Sequence, residues 1–395
     1  MKKALLHFPA DGILSARLEP ILLANGLTPW PIDPETLFTR SLEATAVILL
    51  LDGDLFASHT PEEQKRLATL CSLKHLSVLI TGRSPQSSPP PTDLPWTCGV
   101  IRNSTDAQEW GEKIMIYQQL GALEREVFNL RNKIATHWRE VEEDLRSAAQ
   151  IQQSLLPKRL PSLPHFNVSC HFQPFEKIGG DLFNLCQIDE ETMMLFLLDV
   201  SGHGISSALV SVSIYQSLSL QTGQIVKRMI DRPPYYRILS PIEVMTALSR
   251  EYPFERFELF FTIIYMLINI HTGETRYCSA GHPPALLQRK NGEQQRLSIG
   301  GGLIGLPGTG PFEEERLTLH QGDRLFLFSD GLIDHCDNSG ECFGEKRLIE
   351  NLTSTERTLQ QSCLAGIDAM YNFRGEEPPQ DDVSLLGIEF TKSDA

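Results

Sequence analysis

The chain has 395 residues, 41% of them hydrophobic and 22% charged, an ordinary globular make-up with room for two domains and a connector. A formal net charge of −15 argues against a general nucleic-acid binder, because no excess of cations is available to neutralise phosphates. No stretch approaches the roughly 20 apolar residues of a membrane helix, and the N-terminal apolar run is too short for a signal peptide. The eight cysteines show no CxxC pair and no zinc spacing. These features predict a cytoplasmic protein with reduced cysteines, Cys336 and Cys342 being ordinary thiols in a loop.

Residues 1–118 alternate strand-like and helix-like stretches. Lys3 to Phe8 is a short apolar run, and Ile13 to Asn25 has helical spacing before Gly26. Ala46 to Leu51 reads as a buried strand ending at Asp52-Gly53-Asp54, Pro61 to Lys74 as a helix capped by Thr60, and Leu76 to Ile80 as another strand. Such alternation predicts an α/β domain, a parallel sheet with helices on both faces. Ser84 to Pro95, with five prolines, reads as a loop. This part resembles a response-regulator receiver domain: Asp52 falls where that family keeps its phosphorylated aspartate, and Thr81 follows the fourth strand. It departs from the family at Phe8-Pro9-Ala10-Asp11, with one acid where a pair is expected, and at Arg102-Asn103, where a lysine is expected. The alternative is that Asp52 and Asp54 merely end a strand.

Residues 119–155 carry apolar positions at Leu120, Leu123, Val127, Leu130, Ile134, Trp138, Val141, Leu145 and Ala148, in steps of three and four. The narrow stripe predicts a helical linker that pairs as a parallel dimeric coiled coil. A long amphipathic helix packed on its own domain is the alternative. Residues 156–395 form one compositional unit. Leu259 to Ile270 and Thr275 to Ser279 read as strands around a turn, and Ser206 to Gln221 and Pro241 to Arg250 as helices, predicting an α+β layered sandwich. Gln224 to Leu239, with four basic residues and two prolines, reads as a surface insertion.

Within this last unit four acidic elements occur in order: Gly179-Gly180-Asp181, Asp199-Val200-Ser201-Gly202-His203-Gly204, Ser329-Asp330-Gly331 and Gln380-Asp381-Asp382-Val383-Ser384. Each lies beside a strand-like run or tight turn. Singly, an Asp-Gly turn is structural. Together, carboxylates at strand ends are what a fold uses to converge oxygen ligands on hard divalent cations. His203 is a candidate general acid or else packs under its glycine turn. His282, in Ala280-Gly281-His282-Pro283-Pro284, reads as structural. Gly300 to Gly305 reads as a flexible turn near the cleft, because no lysine follows to make a phosphate loop.

Together with Ile151-Gln152-Gln153-Ser154-Leu155-Leu156-Pro157, these motifs resemble the SpoIIE-type branch of the metal-dependent (type 2C-like, PPM) serine/threonine phosphatases. The resemblance implies a β-sandwich flanked by helices, two Mn²⁺ or Mg²⁺ ions, and hydrolysis of phosphoserine or phosphothreonine on a protein. Carried over, Asp199 would bridge both metals, with the Val200 carbonyl as a further ligand. Asp181 would serve one ion, and Asp330 with Asp381 or Asp382 the other. It further implies a phosphorylated, anti-sigma-antagonist-like protein substrate, and control by the N-terminal domain through the linker of a homodimer. Asn184 departs from the family, standing where a second acid is common. Two rival readings are a catalytically silent signalling adaptor that keeps the fold, and a metal-dependent nuclease, which the acidic charge disfavours.

Overall fold

The computed structural model describes all residues except Met1, 9–12, 33–45, 82–97, 102–105, 157–164, 222, 224, 309, 338, 376–379 and 393–395. Asp11, Arg102-Asn103, the proline-rich stretch 84–95, Pro157 and Gln224 therefore lie outside the described residues. The chain divides into two compact units, Met1–Glu140 and Val141–Ala395. Among the described residues no helix is long and apolar enough to cross a membrane.

In the first unit five strands form an all-parallel sheet: β1 (Lys2–His7), β2 (Leu27–Pro31), β3 (Ala46–Leu51), β4 (Ser77–Thr81) and β5 (Cys98–Ile101). Their spatial order is β2-β1-β3-β4-β5, a doubly wound arrangement. Every residue of β3 is buried, as a central strand covered on both faces requires. Helices α1 (Ile13–Ala24), α2 (Gly53–Ser58) and α3 (Pro61–Lys74) connect the strands. Thr60 and Glu63 form a reciprocal capping box at the start of α3, with Pro61 in its first turn. Asp52 caps α2: its Oδ1 accepts from the Asp54 and Leu55 N–H groups at 3.1 and 2.9 Å.

Helix α4 (Ala107–Leu155) runs for 49 residues and begins well before residue 119, because Trp110 and Ile114 belong to the first unit's core. Beyond them its apolar stripe is open to solvent: Leu123, Ile134 and Trp138 are 58, 56 and 69% exposed.

The second unit is a sandwich of two antiparallel sheets. The first contains β7 (Leu182–Gln187), β8 (Thr192–Val200), β11 (Phe261–Asn269), β12 (Glu274–Ala280), β15 (Gly300–Gly301) and β16 (Glu315–Thr318), with only β12 and β15 paired in parallel. The second runs β14 (Gln294–Leu297), β13 (Ala285–Gln288), β17 (Arg324–Phe328), β18 (Val383–Phe390) and β6 (Phe166–Gln173). Alternation explains why the central strands are apolar throughout. Met193, Leu195 and Leu197 face the gap between the sheets, where they meet Leu325, Leu327, Leu386 and Ile388. Met194, Phe196 and Leu198 face outward under α5 (Ile205–Ser217) and α6 (Pro241–Glu251). Phe326 and Phe328 face α8 (Gly344–Leu352) and α9 (Leu359–Arg374) on the far side. The short helix α7 (Phe254–Phe257) precedes β11.

Two local expectations change, and one gains detail. Within the basic insertion, residues 227–229 and 236–238 pair as a small antiparallel hairpin, β9 (Lys227–Met229) and β10 (Tyr236–Ile238). Two of its cations are engaged, Lys227 with the Ile188 carbonyl and Arg237 bidentately with Glu243. Gly300-Gly301 is not a flexible turn but a strand paired with Ser279 and Ala280, where a Cβ on Gly301 would meet the Phe312 ring. Cys336 and Cys342 are joined in a disulfide. The intervening turn, closed by Gly340 N–H to Asp337 O at 2.9 Å and Asp337 N–H to Glu341 O at 2.9 Å, brings the two cysteines face to face.

Candidate metal centre

Antiparallel pairing brings the distant acids together. In the first sheet the C-terminal end of β8, the N-terminal ends of β7 and β11 and the C-terminal end of β12 share one edge. In the second sheet the end of β17 and the start of β18 share an edge as well. The inward-facing alternation of each strand then continues past the apolar layer into polar residues. On β8 it runs Leu195, Leu197, Asp199; on β11, Ile264 back to Thr262; on β7, Phe183 back to Asp181. On β17 it runs Leu327 to Ser329, and on β18 Leu386 back to Ser384 and Asp382. The end of the inter-sheet core is thus capped by acids and hydroxyls.

Asp199, Asp330 and Asp381 line a cleft of about 350 Å³ with Ser201, His203, Phe260, Thr262, Leu303 and Gln380 among its other walls; among the described residues no lysine or arginine lines it. Asp181 and Asp382 lie behind it, 1% and 6% exposed. The adjacent pair therefore divides. Asp382 turns inward, Oδ1 accepting from Phe175 N–H at 2.7 Å and Oδ2 from Asp181 N–H at 3.2 Å, so it anchors the Gly-Gly-Asp loop. Asp381 faces the cleft. Asp181 accepts from the Ser384 hydroxyl at 2.6 Å. Ser329 Oγ in turn donates to the Asp382 carbonyl at 3.1 Å and accepts from Ser384 N–H at 3.0 Å. The double glycine is a packing requirement: a Cβ on Gly180 would sit 2.6 Å from the buried Val200 carbonyl, and one on Gly179 would strike the Asp382 carboxylate.

Burial is the main force raising the carboxyls of Asp181, Asp199, Asp330 and Asp382 above the ordinary carboxylate range. Mutual repulsion adds to it: Asp330, Asp381 and Asp382 act on Asp199, and Asp381 and Asp334 act on Asp330. Hydrogen bonding to Asp181, which requires a proton on one of the two carboxyls, pulls Asp199 back down. Such crowding is costly unless protons or a cation neutralise it. The donor set is all oxygen, which suits Mg²⁺ or Mn²⁺, and in that sense the residues fit. Among the described residues, no three acidic, histidine or cysteine side chains are yet drawn around one point.

His203 stands at the mouth of the cleft, its side chain 72% exposed and its Nδ1 3.3 Å from Glu176 Oε1. His282 is buried, which pulls it down to about 3 and keeps it neutral. Asn184, on β7, turns its Oδ1 onto the Leu185 N–H at 2.8 Å and does not line the cleft. Sequence reasoning missed one clamp. Gln152, on the last turns of α4 and 3% exposed, grips Gly179 from both sides: its Nε2 donates to the Gly179 carbonyl at 2.7 Å and its Oε1 accepts from the Gly179 N–H at 3.2 Å. A polar residue in an amphipathic stripe was the available signal.

The family model for SpoIIE, stage II sporulation protein E, matches residues 189–391. Phosphoserine phosphatase RsbP of Bacillus subtilis (strain 168) is 31% identical over 196 residues, covering 48% of this chain and 45% of RsbP. Phosphoserine phosphatase RsbU of the same organism is 26% identical over 236 residues, covering 59% of this chain and 64% of RsbU. The chain thus spans less than two thirds of either relative. The SiaA-PP2C domain of Pseudomonas aeruginosa superposes with a TM-score of 0.54 at 19% identity, over 65% of this chain and 99% of that domain, so the fold is PP2C-like. With the family model covering slightly more than half of its 395 residues, the chain belongs to the SpoIIE family.

Proposed function

We propose that this chain is a metal-dependent serine/threonine phosphatase that removes phosphate from phosphoserine or phosphothreonine on a regulatory protein. The observation that carries the reading is the cleft itself: among the described residues, three aspartates line it and no lysine or arginine does. A phosphoryl dianion enters such a cleft only if cations stand between it and the carboxylates. Asp199, Asp330 and Asp381, with the Val200 carbonyl and Asp181 beside them, would hold Mn²⁺ or Mg²⁺. Two such ions, when bound, would activate a water and neutralise charge on the transferring phosphoryl group. Asp382, Gln152 and the Ser329–Ser384 pair would keep the ligand loops in place. His203, at the mouth, would deliver a proton to the departing serine or threonine oxygen, with Glu176 orienting its ring.

The substrate would be an anti-sigma-antagonist-like phosphoprotein, a reading supported by the likeness to RsbP and RsbU. The first unit would act as a receiver-like regulatory domain. Its signal would pass along α4, whose exposed stripe at Leu123, Ile134 and Trp138 supports pairing with a second copy as a coiled coil. A cytoplasmic location fits a substrate of that kind. The test is Mn²⁺-dependent hydrolysis of p-nitrophenyl phosphate by the full chain, repeated with Asp199→Asn and Asp330→Asn. Metal-dependent turnover lost in both variants is expected. Equal rates in all three, or no metal dependence, would leave the silent-adaptor reading standing.

A further inference from the structure

Cys336 and Cys342 lie on the loop that follows Asp330. The chain leaves that residue in a tight turn, with Ile333 and Asp334 both donating N–H bonds to the Asp330 carbonyl, at 2.8 and 2.7 Å. It then runs out and folds back. Gly344 N–H donates to the Ile333 carbonyl and Phe343 N–H to the His335 carbonyl, each at 2.8 Å, and the disulfide joins the two arms just beyond. The outgoing arm also reaches a second acidic element: Cys336 N–H donates to Gln380 Oε1 at 3.4 Å. Gln380 lines the cleft beside Asp381. The cross-linked loop is thus continuous with one cleft aspartate and hydrogen-bonded to the neighbour of another.

The two arms are anchored differently. Arg347, on α8, donates to the Cys342 and Phe343 carbonyls at 2.9 and 3.0 Å, and Phe343 is buried in one cluster with Leu332 and Leu348. The returning arm therefore keeps its place whatever the state of the sulfurs. The outgoing arm is pinned to it by the disulfide and by backbone hydrogen bonds. Cleavage leaves the hydrogen bonds alone, so Cys336, with the N–H that holds Gln380, gains freedom. Cys342 is exposed and Cys336 half-buried, which puts the sulfur bond within reach of small thiols. Where such thiols keep cysteines reduced, a disulfide that forms is usually transient and redox-sensing. We propose that Cys336 and Cys342 are a thiol–disulfide switch of the metal centre: the disulfide form holds the Asp330 and Asp381 segments together, and the dithiol form binds a cation more weakly. A fixed loop has less freedom to give up when a cation gathers those two acids. The exchange balances. A small thiolate of the glutathione class attacks the Cys342 sulfur and expels the Cys336 thiolate. A second thiolate attacks the small-molecule sulfur of that mixed disulfide, expels the Cys342 thiolate and leaves as the small-molecule disulfide. Two electrons pass to the protein sulfurs, and the two protons of the small thiols end on the cysteines.

The proposal rests on the cation-centre reading, and its test separates the two. The full chain is equilibrated with excess glutathione disulfide or with a phosphine reductant, and the small molecules are removed. Alkylation and mass spectrometry should find the Cys336 and Cys342 peptides joined in the first sample and both alkylated in the second. The dissociation constant for Mn²⁺, from the electron paramagnetic resonance of the free ion, is expected to be about threefold to tenfold larger in the reduced chain, the weight of one hydrogen bond. Cys342→Ser should show the weaker binding after either treatment, which assigns the response to this pair among the eight cysteines. Gln380→Ala, which cuts the contact between the loop and the Asp381 segment, should narrow the gap between the two states. Free thiols at both positions after glutathione disulfide, equal affinities in the two states, or a Cys342→Ser chain that still responds would overturn the switch. A wild-type chain that binds no Mn²⁺ in either state, with the disulfide formed, defeats the cation-centre reading and the switch with it.

Discussion

Two aspartates sit just beyond or within the end of a buried apolar strand in the two units, and their fates differ. Asp52 follows Ala46–Leu51 and spends one carboxylate oxygen on the free N–H groups of α2. Asp199 ends a run just as apolar, yet it meets Asp330 and Asp381 across a cleft and Asp181 behind it. In a parallel sheet, consecutive strand ends are each followed by a helix whose N-terminus welcomes a carboxylate. In an antiparallel sandwich the hairpins leave strand ends bare, and several of them face one gap. An acid at a strand end therefore says little alone. What matters is whether the topology turns its neighbours toward it.

The contrast is broken or sharpened by four measurements. Asp199→Asn is expected to lower Mn²⁺-dependent kcat by about a thousandfold or more, the several kcal/mol that a two-ion centre supplies, while Asp52→Asn leaves it unchanged in the isolated reaction. A loss in the Asp52 variant would mean that the two acids are not as different as their contacts. Next, Mn²⁺ at a hundred times its dissociation constant should stabilise the fold by about 2.7 kcal/mol, roughly 5–10 °C in a melting scan.

The same scan has a pH signature. The raised carboxyls bind protons more tightly in the folded chain than in the unfolded one, so without ions stability should fall as pH climbs from about 4 through the raised values. Protons and Mn²⁺ compete for the same oxygens, so the stabilisation by Mn²⁺ should grow over that range. Third, Asp382→Asn should cost about 1–3 kcal/mol of stability by weakening the anchors to Phe175 and Asp181, whereas Asp381→Asn should leave the melting point of the ion-free protein no lower, since it relieves repulsion on Asp199 and Asp330, and should weaken Mn²⁺ binding. The smallest effect is expected from Asp52→Ala, about 1 kcal/mol lost with the cap and measurable by urea unfolding.

Much of this was legible in the residues. The runs Ala46–Leu51 and Leu195–Leu198 are strands because nothing but two-sided burial suits them, and Thr60 announced a helix start. The four acidic elements were visible as turns, and their order carried the resemblance to SpoIIE-type phosphatases. What stayed hidden depends on contacts between segments far apart in sequence. Asp381 and Asp382 are identical as letters; Phe175 and Asp181, each more than two hundred positions away, decide which one turns inward. Gln152 looked like a polar gap in a helical stripe until Gly179 arrived beside it. The alternation that ends in Asp199, Thr262, Ser329 and Ser384 could have been read by extending each inward face one step past its last apolar residue. Cys336 and Cys342 read as separate thiols in the sequence, because a disulfide depends on the turn geometry between them.

The central claim, that these acids form one cation centre and Asp52 belongs to no such centre, is tested most directly by counting ions. Titration of the full chain with Mn²⁺, followed by calorimetry or by the electron paramagnetic resonance of free Mn²⁺, should give about two ions per chain. The count should survive Asp52→Ala and collapse in Asp199→Asn with the fold intact by circular dichroism. No saturable binding, or an unchanged count in Asp199→Asn, would contradict the account.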